Sequence, residues 1–145
     1  MLDETDKKII RLLQEDSRRS VTDLAKLVNL SRPSISERIT RLVEKGVIEQ
    51  FTVHVPPTKV GHHVSFFMEV SDLKLPWDKI VERFLTNDHV TEIHCVTGRT
   101  NYIVRASMPD IETMNAFLSE MRRHCDVVTS IILNSPLPHR PVKVL

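Results

Sequence analysis

The sequence predicts an α+β chain of two domains: a winged or trihelical helix-turn-helix unit, then an antiparallel sheet carrying two helices. Three observations predict it. Val21 to Gly46 reads as two helices joined by a tight turn. Prolines at 56 and 57 interrupt the chain where helical periodicity gives way to alternation. Beyond them, strand-like and helix-like segments follow in the order β-α-β-β-α-β. Domain bounds follow at residues 1–55 and 64–145, with 56–63 as linker.

Taken in order, Asp3 and Asp6 form an acidic N-cap and first turn, and Ile9, Ile10, Leu12 and Leu13 give that helix its apolar side. Ser20, three residues before Asp23, starts the second helix, whose Val21, Leu24, Ala25 and Val28 recur at helical spacing. Asn29 stands at the turn, a residue that tolerates left-handed backbone. Ser31 caps the third helix, and Pro33 falls in its first turn, where a missing N–H is harmless. Ile35, Ile39, Leu42 and Val43 make its buried stripe. Ser34, Arg38, Arg41 and Lys45 stack along another face, with Arg32 at the entrance. Guanidinium and ammonium groups so placed suit phosphates and guanine edges in a major groove, which makes Ser31, Arg32, Ser34, Arg38, Arg41 and Lys45 the candidate DNA-binding set.

Gly46 ends this helix, and Phe51, Val53 and Val55 then alternate as in a strand. The second domain opens with Val64, Phe66, Met68 and Val70 in alternation. Trp77, Ile80, Val81, Phe84 and Leu85 share a helical face read as core. Two strands, VTEIHCVT and NYIVRASM, flank a hairpin at Gly98. A helix with Ile111, Met114, Phe117, Leu118 and Met121, the strand VVTSIIL and a proline-broken tail follow. This is the ferredoxin-like split unit, with both helices on one face of the sheet. The bare face needs a cover, and a second copy placed sheet to sheet supplies one.

Composition bounds the function. The chain has 145 residues, 41% of them hydrophobic and 27% charged, enough apolar content for globular cores. There are 11 Lys and Arg against 9 Asp and Glu up to Gly61, net +2, and 9 against 10 thereafter, net −1. Any nucleic-acid footprint is therefore local to the third helix. No stretch approaches the roughly 18 apolar residues of a membrane span, and the start MLDETDKK is no signal peptide. Two cysteines make no disulfide framework, so a cytoplasmic location is expected.

Over nearly its full length the chain resembles the Lrp/AsnC family of feast/famine transcriptional regulators. The opening helix, from Leu2-Asp3 through Asp6, Ile9-Ile10 and Leu13 to Asp16 and Arg18, is similar to the family's. So are Leu24-Ala25, Leu30-Ser31, Arg38, Arg41-Leu42 and Gly46-Val47-Ile48, and so is Val96-Thr97-Gly98 followed by Tyr102. The resemblance implies a sequence-specific DNA-binding regulator with no enzymatic activity and no cofactor. Its partners would be double-stranded DNA, further copies of itself as dimers or octamers, and an amino acid or related small molecule. It places that effector between dimers, near Thr97, Gly98, Arg99, Asn101 and Thr129. The hairpin departs from the family pattern, since Gly98-Arg99-Thr100-Asn101 carries no carboxylate to meet an ammonium group. Arg99 is expected to suit a carboxylate ligand instead.

Rival classes are weaker. An enzyme needs convergent catalytic groups or a phosphate cradle, and the three glycines serve a helix end, the linker and a hairpin. A thiol- or metal-responsive regulator would use His94-Cys95 or His124-Cys125. Adjacent strand residues point to opposite faces, so the first pair cannot easily chelate, and buried cysteine is usually an inert hydrophobe. His62-His63 reads as solvated linker. An architectural DNA-wrapping protein without effector stays open.

Overall fold

The structure is a computed structural model that describes residues 2–145, and it divides into two compact units. One comprises residues up to His54 together with Leu137–Leu145; the other is Val55–Pro136.

The first unit is built on α1 (Glu4–Glu15), α2 (Val21–Val28) and α3 (Arg32–Glu44). Each starts at a side-chain cap: the Asp3, Ser20 and Ser31 oxygens accept from the backbone N–H groups of Asp6, Asp23 and Ser34. At Asp3 the cap is reciprocal, since the Asp6 carboxylate also accepts from the Asp3 N–H, a capping box. Asn29 closes α2 with φ at 59°, the left-handed conformation expected of it. The helices bury Ile9, Leu24 and Ile35 completely and Leu42 nearly so. After α3, Gly46 takes φ 65° and lets the Val47 and Ile48 amides donate back to the Leu42 carbonyl.

Two expectations for this unit change. The alternating Phe51, Val53 and Val55 form no strand: residues 49–56 lie outside any ladder, with these three side chains exposed. Alternation marks a chain able to pair, and among the described residues the helical unit has no strand to pair with it. The proline-broken tail, expected with the second domain, groups with the helices. Arg11 and Gln14 of α1 donate to the carbonyls of Val144 and Val142, and the His139 ring lies 4.1 Å from that of His54.

The second unit contains β1 (Val64–Ser71), α4 (Trp77–Leu85), β2 (Val90–Cys95), β3 (Tyr102–Met108), α5 (Ile111–Met121) and β4 (Asp126–Ile131). Its four strands run in the order β2-β3-β1-β4, every neighbouring pair antiparallel, which is the ferredoxin-like arrangement. Alternation sorts the faces. Val64, Phe66, Met68 and Val70 of β1, with Tyr102 and Val104 of β3, pack with Ile80, Phe84, Phe117 and Met121 of the helices. Ser65, Phe67 and Glu69 turn to the other face, where Phe67 is 41% exposed and Val128 of β4 is 65% exposed. The linker between the predicted domains holds a short 3-10 turn, Pro57–Val60, inside this unit.

One stripe on α4 divides differently from its prediction. Ile80 and Phe84 are buried, whereas Trp77 and Leu85 stay 65% and 71% exposed. A nine-residue helix crossing a sheet buries only its central contacts, and Trp77 and Leu85 are its end residues.

Candidate nucleic-acid interface and effector hairpin

The turn between α2 and α3 sets the geometry of the first unit. Left-handed Asn29 reverses the chain in a single residue, and Leu30 N–H returns to the Ala25 carbonyl at 3.0 Å. Lys8 of α1 reaches across to cap α2, donating to the Leu27 carbonyl. On α3, Ser31 and Ser34 are tied together, hydroxyl to hydroxyl at 2.8 Å. Arg32 and Lys45 are exposed at its two ends.

Arg38 and Arg41 are not free. Arg38 donates through Nη1 to Asp3 Oδ2 and to Asp6 Oδ1, both at 2.6 Å, and Arg41 Nη2 adds a 3.2 Å contact to the same Asp6 oxygen. Asp6 is only 4% exposed, so its carboxylate is largely out of water and satisfied by two guanidiniums and the Asp3 N–H. The Asp6 backbone N–H, then the Arg38 guanidinium, hold the Asp3 carboxyl below the ordinary aspartate range. The two aspartates in turn raise Arg38. The capping box that starts α1 thus also clamps α3. Arg38 retains N–H donors other than Nη1 on a side chain that is one quarter exposed.

The face of α3 turned furthest from Ile35 and Leu42 carries Ser36, Glu37, Thr40 and Glu44, all exposed. Charge drew attention to the basic stripe beside it. A helical wheel centred on the buried pair would have found this outward face from sequence.

In the second unit, residues 96–101 join β2 to β3. Gly98 sits at φ 114°, which an L side chain would strain to adopt. The Asn101 N–H donates to the Val70 carbonyl at 2.8 Å, fixing the hairpin base against β1. Thr97, Arg99 and Asn101 are exposed. Although the hairpin itself has no carboxylate, β1 brings one to it: Thr100 Oγ1 donates to Glu69 Oε2 at 3.0 Å. Thr129 lies on the far side of β1, paired with Met68, and its hydroxyl is buried without a partner. It does not meet the hairpin within one chain.

These two units match two family models in chain order: the AsnC-type helix-turn-helix domain over residues 2–43 and the Lrp/AsnC ligand binding domain over residues 65–142. The chain belongs to the Lrp/AsnC family. It is a DNA-binding transcriptional regulator. Among curated Lrp/AsnC-type relatives, it is 30% identical to the uncharacterized HTH-type transcriptional regulator YezC of Bacillus subtilis over 95% of this chain and 98% of that one. HTH-type transcriptional regulator LrpA of the same organism is 27% identical over 92% and 98%. The solved structure of Bacillus subtilis LrpC superposes with a TM-score of 0.89 at 26% identity, covering 96% and 99%. The transcriptional regulator NMB0573 of Neisseria meningitidis, solved in complex with L-Met, superposes at 0.86 with 25% identity, covering 94% and 93%.

Set in this family frame, the remaining candidates sort by position. His94 lies on the open sheet face beside Glu92, at 3.3 Å, while Cys95 pairs with Tyr102 on the other side, as strand alternation requires. Cys125 is buried, donates to the Met121 carbonyl, and its thiol is pushed up by burial. Among the described residues no three His, Cys, Asp or Glu side chains gather as a metal site. His62 is not solvated linker: its Nδ1 lies 2.6 Å from the Ser107 carbonyl, and its ring is 5.3 Å from that of His89. No helix among the described residues is long and apolar enough to cross a membrane.

Proposed function

We propose that the protein binds operator DNA as a dimer or higher oligomer through α3, and that an amino acid or related small molecule binding near the Gly98 hairpin modulates this. Ser31, Arg32, Ser34, Arg38, Arg41 and Lys45 serve as the backbone-contacting flank of α3. The observation that carries the reading is the placement of a capped helix with basic groups along one edge and an exposed polar face beside them. Self-association is supported by the unpaired alternating segment Phe51–Val55 and by the open sheet face with its exposed Phe67 and Val128.

Thr97, Gly98, Arg99, Asn101 and Thr129 line the proposed effector site, with Thr129 contributed from another copy. Glu69 changes its chemistry. A carboxylate beside Thr100 can pair with an ammonium group, while Arg99 can take a carboxylate, so an intact amino acid fits better than a keto acid. The neighbour holding L-Met is consistent with that ligand class. An architectural DNA-wrapping protein is the second reading; it too would use the oligomer-forming surfaces, and would ignore effectors.

One titration tests these together. Fluorescence anisotropy on duplexes carrying paired half-sites should show binding that Arg41→Ala weakens about tenfold. Addition of an amino acid should shift the curve for the wild type and not for Glu69→Gln, with sedimentation reporting the assembly. Undiminished binding by Arg32→Ala, Arg41→Ala and Lys45→Ala together would remove α3 as the interface. A response to keto acids alone would remove the role of Glu69.

A further inference from the structure

Resting on that reading of α3, we propose that Glu37 is the residue through which this regulator selects a base pair, and that it selects C·G. Three features of the helix converge on it. Ile35 and Leu42 are buried, so the direction into a groove is the one opposite them, where Ser36, Glu37 and Thr40 stand exposed. The basic flank is already engaged: Arg38 and Arg41 with Asp3 and Asp6, and Ser34 with Ser31. Ser36, Glu37 and Thr40, by contrast, make no side-chain hydrogen bond or ion pair among the described residues. Contacts that position and contacts that read are thus divided between two adjacent strips of one helix.

The chemistry of the outward strip is unequal. Ser36 and Thr40 carry hydroxyls that both donate and accept, so each suits more than one base. The Glu37 carboxylate offers acceptor oxygens and no second donor-acceptor group. In the major groove its match is the exocyclic N4 amino group of cytosine; guanine O6 and N7 and thymine O4 are acceptors that would face it unpaired, and adenine sets its N7 acceptor beside the N6 donor, where a carboxylate, unlike an amide, has no hydrogen to offer. A carboxylate lowered between two phosphate chains without such a donor is repelled by them and left unsatisfied. Glu37 therefore acts by exclusion as much as by attraction. Arg38, the next residue in the chain and held by two aspartates, keeps the helix at the depth where Glu37 meets a base edge.

Selection from a random duplex library with the full chain tests this. Wild-type protein should enrich cytosine at one position in each half-site. Glu37→Gln should move that position to adenine, since an amide pairs with adenine N6 and N7. Glu37→Ala should flatten the position and raise affinity for non-cognate duplexes about tenfold, by removing a negative charge beside the phosphates. Selected positions identical in wild type, Glu37→Gln and Glu37→Ala would overturn the assignment while leaving α3 docking intact. If instead the outcome depends on neither the Glu37 nor the Arg32 and Arg41 variants, docking through α3 itself fails, and the assignment fails with it.

Discussion

Arg38 and Arg105 both hold carboxylates at hydrogen-bonding distance, and they serve opposite ends. In the helical unit Arg38 grips Asp3 and Asp6 at 2.6 Å, and Asp6 is 4% exposed. In the sheet unit Arg105 donates to Glu92 at 2.8 Å from a face open to solvent, with the Glu92 side chain 41% exposed and the Phe67 ring beneath the guanidinium at 5.9 Å. The sheet is already held by fully buried side chains such as Phe66, Phe84 and Val104, so its ion pair is free to be surface. The trihelical unit has a smaller apolar core, and a charged clamp joins α1 to α3. The difference is one of burial: the same side chains make a structural tie where water is excluded and an adaptable face where it is not.

The largest expected effect separates the two clusters directly. Asp6→Asn deprives two guanidiniums of their shared charge and weakens the capping box, and should destabilise the helical unit by about 2 kcal/mol. Amide exchange in α1 and α3 would read it. Glu92→Gln, on its exposed face, should lower stability by less than about 1 kcal/mol. Equal losses at the two sites would break the distinction.

Acid gives the next largest contrast. The Asp3 carboxyl is lowered by the Asp6 N–H and by Arg38, so its stabilising contribution is complete above the ordinary aspartate range. It is lost as the pH falls through the lowered value. Glu92 has the same sign: burial opposes ionisation, and Arg105 and His94 outweigh it. Because the sheet unit rests on apolar packing, amide exchange below a pH of about 4 should rise first in α1 and α3. Exchange rising first in β1 and β3 would show that the helical clamp is not the acid-sensitive tie.

How much of this was legible in the sequence depends on distance along the chain. The caps at Asp3, Ser20 and Ser31 and the left-handed Asn29 are local, because each satisfies its own backbone within a few residues. The strand order follows from alternation and from the order of elements. What alternation could not supply is a partner, so Phe51, Val53 and Val55 read as a strand and lie unpaired. The hydrophobicity of Trp77 likewise says nothing of which part of α4 meets the sheet. The candidate site was legible as a basic helix and a hairpin. Its electrostatics were not, since Arg38 finds Asp6 32 residues away and Thr100 finds Glu69 31 residues away. Both partners were visible as residues, and only the fold makes them neighbours.

The smallest expected effect is the response of the two pairs to salt, and it sharpens the comparison without removing a contact from either site. The Debye length shrinks from about 10 Å at 0.1 M salt to about 3 Å at 1 M. The Glu92 carboxylate is 41% exposed, so mobile ions can gather around it. Asp6 is buried, and ions cannot approach its inner oxygen without opening the helical unit. A double-mutant cycle on Arg105 and Glu92 should therefore give a coupling of a few tenths of a kcal/mol at low salt that fades at 1 M. The cycle on Arg38 and Asp6 should keep most of its larger coupling. Equal fading of both couplings would mean that water reaches Asp6 as freely as Glu92, and Arg38 would then be as available to a DNA phosphate as any surface arginine.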